Sequence, residues 1–87
     1  MMPELCRFYG IIIRLYFDDH APPHFHASYG GDEAVVEIAT LAVIHGYLPH
    51  RARGLVREWA LLHQEELHGA WRKAKQLQPP GKIDPLP

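Results

Sequence analysis

At Pro49 the spacing of apolar residues changes from two to nearly four, and this change constrains the fold more than any other feature of the chain. Upstream, apolar and polar residues alternate as they do in strands with one buried face. "CRFYGIIIRLYF", residues 6–17, is rich in β-branched and aromatic side chains and reads as one strand. Alternation sets Ile11, Ile13, Leu15 and Phe17 on one face and Ile12, Arg14 and Tyr16 on the other. "HFHASY", residues 24–29, resumes a short strand, with Phe25, Ala27 and Tyr29 opposite His24, His26 and Ser28. Gly30-Gly31-Asp32 supplies hairpin chemistry. The next strand, "EAVVEIAT", turns Ala34, Val36 and Ile38 inward and Glu33, Val35 and Glu37 outward. "LAVI" adds a fourth short strand ended by His45-Gly46.

Downstream of Pro49, Ala52, Val56, Trp59, His63, Leu67, Ala70 and Ala74 recur at helical spacing, and Leu55 and Leu62 widen the stripe. Pro49 itself suits a first helical turn. One long helix or two with a break near His63 both fit this pattern. The expected class is α+β: an antiparallel three- to four-stranded meander followed by a long or broken helix packed on one face. Residues 1–78 form a single compact domain in this reading, and residues 79–87 a proline-rich tail.

A hydrophobic content of 47% with 22% charged residues places the chain among globular domains rather than disordered ones. Cys6 is the only cysteine, which excludes an intramolecular disulfide. With no signal-like start, the lone thiol points to the reducing cytoplasm. No apolar run is long enough to span a membrane. The net charge of −1 hides an asymmetry: residues 1–48 carry two Arg against six Asp/Glu, and residues 49–77 carry six Arg/Lys against three Glu. Different surfaces on the two halves follow, but not the strong basicity of a dedicated nucleic-acid binder.

Between the first two predicted strands lies "DDHAPPHFH", three histidines around a Pro-Pro pair. The string "IIIRLYFDDHAPPHFHASYGGDEAVVEI", followed by "LPHRARGLVREWALLHQEEL", Trp71 and "KIDPL", resembles domain-of-unknown-function family 4160 along nearly the whole chain. Members of that family are small bacterial and archaeal proteins, often encoded beside a second small protein, and some are named as the toxin of a type II toxin–antitoxin pair. The resemblance implies a toxin-like role held in check by a cognate small protein. It carries over onto Asp19, His20, Pro22, Pro23, His24, Phe25, His26, Tyr29 and Gly30.

The residues themselves leave three readings open. His24 and His26, two apart on a strand, share a face at about 6.6 Å. They can converge on one zinc-like metal ion with His20 or Asp19 as a third ligand, leaving one coordination position open. Without a metal, Arg14, Tyr16, His24, His26 and Glu37 all point away from the core, and the proline pair stiffens the turn that holds His20 over that face. Imidazoles beside an Arg and a carboxylate suit acid–base cleavage of an RNA phosphodiester, whose 2′-hydroxyl is an internal nucleophile. In the third reading the histidines only bind backbone carbonyls in a stiff loop, and the protein is a non-catalytic interaction or regulatory module whose helix docks a partner. His63 falls in the helical apolar stripe and reads as structural, as do Trp59 and Trp71. His45, His50 and His68 are expected to face solvent. Arg53, Arg57, Gln64, His68 and Lys75 share one helical flank, suited to water, an acidic partner or a nucleic-acid backbone.

Overall fold

The computed structural model describes residues 3–87, so the first two residues of the predicted 1–78 domain lie outside the described residues. Five strands precede two helices: β1 Glu4–Phe8, β2 Ile11–Arg14, β3 His24–Tyr29, β4 Asp32–Glu37, β5 Val43–Gly46, α1 His50–Leu62 and α2 Gln64–Lys75. The strands form one sheet in the order β1-β2-β3-β4-β5, and every neighbouring pair is antiparallel. This confirms the α+β class and corrects the strand number. The single strand expected over residues 6–17 is a hairpin, β1 and β2, with Phe8 opposite Ile11 across a two-residue turn. Tyr9 (φ 50°) and Gly10 (φ 83°) both adopt positive φ, as a primed hairpin turn requires. The turn leaves no break in the apolar run, so only Gly10 marked it.

Alternation then places the core. Ile11, Ile13, Leu15, Phe25, Ala27, Ala34, Val36 and Ile38 are all buried, as their periodicity predicts. In β1 a register irregularity between Glu4 and Cys6 lets both Leu5 and Cys6 turn inward. Tyr29, expected inward, is 40% exposed because β3 ends there at its hairpin.

The helical stripe packs on this apolar face. Ala52, Val56, Trp59 and Ala60 of α1 are buried, as are Leu67, Ala70, Trp71 and Ala74 of α2. Trp59 joins the layers, its ring 5.5 Å from Phe8 and 5.8 Å from Phe25. The helix breaks at His63, whose φ of −128° is not helical. Its backbone N–H still donates to Ala60 O, while its carbonyl accepts the Leu67 N–H of the next helix. The break rotates the stripe, so Leu62 is 64% exposed instead of widening it. Glu65 and Glu66 open α2 and Arg72, Lys73 and Lys75 close it, charges that oppose the helix dipole at each end.

Residues 79–87 contain no helix or strand, yet they are fastened to the core. Ile83 and Leu86 are buried, the Ile83 N–H donates to Leu5 O, and the Trp59 indole N–H donates to Asp84 O at 2.8 Å. The described part of the chain is thus a single unit with its tail tied down.

Candidate functional site

The segment between β2 and β3 turns back on itself at the end of α2. The Asp18 N–H donates to Ala74 O, the Ala21–Pro22 peptide bond is cis, and Lys75 Nζ donates to Asp19 O while pairing with the Asp18 carboxylate at 3.3 Å. These contacts hold Asp19 above the start of β3. Its carboxylate gathers the histidine string. Oδ2 accepts from His24 Nε2 at 2.8 Å and lies 3.5 Å from His26 Nε2, and Oδ1 accepts from the His20 backbone N–H at 2.9 Å.

His24 is buried, 4% exposed, with its ring 5.1 Å from Trp71 of α2. Its second nitrogen, Nδ1, faces Pro22 O at 2.7 Å. Oxygen acceptors therefore meet both ring nitrogens, and both can donate only if the ring is the charged imidazolium. His26 is built the same way. Its Nδ1 faces Glu33 Oε2 at 3.1 Å, and the ring lies flat on Tyr16 at 4.1 Å between centroids.

Opposing effects act on the Asp19 carboxyl. Partial burial pushes it up, but the His20 N–H and the His24 and His26 rings outweigh that and hold it below the usual carboxylate range. The Tyr16 hydroxyl is raised by burial first and then by Glu33, which keeps it a neutral phenol at physiological pH. Beside the cluster opens a cavity of about 490 Å³ lined by Tyr16, Asp19, His20, His24, His26 and His45, with Pro22, Val35 and Ile44 as its apolar part. A second cavity of about 450 Å³ lies against α1, with an apolar floor below His50, Arg53 and Arg57, and it contains none of these convergent groups.

Of the residues singled out from sequence, the fold brings Tyr16, Asp19, His24 and His26 together. His20 stands on the cavity rim, its side chain 91% exposed, with Nδ1 3.1 Å from the outer oxygen of Asp19. Arg14 pairs with His26 in register but donates to Ser28 Oγ at 3.3 Å and is not part of the cavity wall. Glu37 lies opposite His24, yet its carboxylate accepts from Thr40 Oγ1 at 2.7 Å. On the helical flank, Lys75 holds the Asp18–Asp19 turn and Gln64 donates to Ile38 O, so both are engaged within the fold.

Four participants were not expected: Glu33, Trp71, Lys75 and His45. Glu33 was legible as an outward residue of β4, but only the two-residue Gly30-Gly31 turn sets it diagonally across from His26. His45 lies on a row running Arg14, His26, Val35, His45 across four strands, a relation that exists only in the register.

Fold and site together define a small α+β protein: a five-stranded antiparallel meander backed by two helices, with an Asp/His cluster at a cavity beside the β2–β3 turn. Residues 10–72 match the family described as domain of unknown function (DUF4160), and the chain belongs to that family. No curated protein and no solved structure matches it. No helix among the described residues is long and apolar enough to cross a membrane.

Proposed function

We propose that this protein is the toxin-like member of a type II toxin–antitoxin pair and that it cleaves RNA at the cavity bordered by Asp19, His24 and His26. One observation carries the reading: three side chains drawn from a turn and a strand converge on a single point and open onto a cavity, each fixed from behind by another residue. Preorganisation of this kind is what a reactive site needs and what a purely structural loop does not. RNA is the substrate class because its 2′-oxygen can attack the adjacent phosphorus and expel the 5′-oxygen with no external nucleophile. That reaction needs one proton removed and one delivered. His20 and His45, exposed on the rim, are placed to exchange them with bound RNA, while Asp19, His24 and His26 form the centre. The family resemblance supports a cognate antitoxin as partner.

Expression in bacteria tests this. The wild-type chain arrests growth and leaves cleaved RNA, while His24→Ala and His26→Ala, at matched levels of folded protein, relieve the arrest. Equal arrest by both variants would sink the catalytic reading. The alternative, a non-catalytic interaction module, is favoured by Leu61 and Leu62, adjacent and 55% and 64% exposed at the end of α1. Arrest lost on Leu61→Glu/Leu62→Glu and kept by the histidine variants would favour that module.

A further inference from the structure

Each of the three clustered side chains has one polar atom committed to a neighbour outside the cluster. Asp19 Oδ1 accepts from the His20 N–H, His24 Nδ1 faces the Pro22 carbonyl, and His26 Nδ1 faces the Glu33 carboxylate. The atoms left over, Asp19 Oδ2, His24 Nε2 and His26 Nε2, turn toward one another, and ligand atoms of the three residues lie within 4.8 Å of each other. Metal-ligating histidines have this outer arrangement: the second nitrogen donates to a carbonyl or carboxylate, which fixes the tautomer and aims a bare lone pair at the ion. We propose that Asp19, His24 and His26 bind one divalent first-row transition metal ion, zinc-like in its preferences, with an open coordination position on the cavity side.

Proton accounting supports this assignment. Metal-free, His24 satisfies Pro22 O and Asp19 Oδ2 only by carrying two protons while 4% exposed, and His26 lies between two carboxylates. A cation on the two Nε2 atoms lets both rings be neutral and compensates the Asp19 charge. Two imidazoles and one carboxylate suit Zn²⁺ and its neighbours, whereas Mg²⁺ and Ca²⁺ prefer oxygen shells. Tetrahedral ligands at bond lengths of about 2.0–2.2 Å lie roughly 3.4 Å apart, so the 2.8 Å Asp19–His24 contact need widen only by roughly 0.6 Å. His20 is not a ligand, since its ring meets the outer oxygen of Asp19 and stands in solvent. The inference rests on the cavity being the working site and deepens that reading, because three protein ligands with one open position are what an ion needs in order to meet and polarise a phosphodiester oxygen.

The full chain, purified without a histidine tag and stripped with chelator, is titrated calorimetrically with Zn²⁺ near neutral pH. One Zn²⁺ binds per chain and raises Tm. Asp19→Asn and His26→Gln weaken binding by about 100-fold or more, and Glu33→Gln by about 10- to 100-fold, while His20→Gln and Glu37→Gln stay within about threefold of wild type. Circular dichroism confirms that each variant is folded; Glu33, whose side chain is 52% exposed, provides a variant that leaves the core intact. Absence of saturable binding overturns the site, as does a loss in His20→Gln equal to that in His26→Gln. RNA cleavage that survives chelation overturns the metal and leaves the RNA reading standing. One Zn²⁺ held by these ligands without action on RNA supports the metal and overturns the RNA reading.

Discussion

Asp19 concentrates the consequences of the fold in a single carboxylate. Its folded value lies below the unfolded one because the His20 N–H and two imidazoles outweigh the burial that opposes them. Such a depressed acid contributes stability that is fully present above the unfolded value of about 3.9 and is lost as pH falls through the folded value. The metal-free protein therefore loses Tm on acidification below about pH 4, and part of that slope belongs to Asp19. In Asp19→Asn the Tm is lower at neutral pH, and its deficit against wild type shrinks as pH drops. A deficit that stays constant across that range would mean the carboxylate charge is not what the histidines recognise. At this same scale the motif was readable in part. "DDHAPPHFH" named Asp19, His24 and His26, but it could not tell the buried His24 from the solvent-facing His20, because that depends on Trp71, forty-seven positions further along.

Among the elements, β5 shows how a short strand can matter more than its length. Ile44 and His45 face the cavity from it, and Gly46 ends it with φ 79°. A Cβ on Gly46 would collide with the main-chain carbonyl oxygen of Glu33, the residue whose carboxylate holds His26. Gly46→Ala therefore costs both backbone strain and a displacement of β4, on the order of 2 kcal/mol. Chemical denaturation checks the figure, and a change below about 0.5 kcal/mol would show that β5 relaxes freely. Period-two alternation gave β3 and β4 and helical spacing gave α1 and α2, since in each of these one buried face dictates the pattern. The β1–β2 turn escaped that logic because Phe8 and Ile11 are both buried and β-branched residues continue on its far side.

For the molecule as a whole, a modest core leaves little margin, so each buried contact of residues 79–87 counts. Deleting them exposes the sites of Ile83 and Leu86 and strips the Trp59 indole of its acceptor. Burial of two aliphatic side chains and one indole hydrogen bond together contribute about 3 kcal/mol or more. For a domain of this size that loss lowers Tm by on the order of 15 °C. A truncated chain melting within a few degrees of the full one would mean the tail is only laid on the surface. Leu86→Ala, with the backbone path kept, gives a smaller loss in the same direction.

The sequence by itself determined the class of the fold, the inward core positions of β2 to β4 apart from Tyr29, the apolar stripe of the helical half and the string that supplies the site, while leaving open whether that stripe ran through one helix or two. These are local properties: a strand or helix with one buried face writes its period into the chain regardless of what covers it. Tertiary structure alone decided that Glu33 and not Glu37 reaches a site histidine, that His45 looks into the same cavity, and that in α2 Trp71 packs on His24 while Lys75 holds the Asp19 turn. Each of those relations depends on strand register or on helix placement. A shift of one residue in register would set Ala34 or Val36 opposite His26 and turn both glutamates to the other face, while leaving every local pattern in the sequence unchanged.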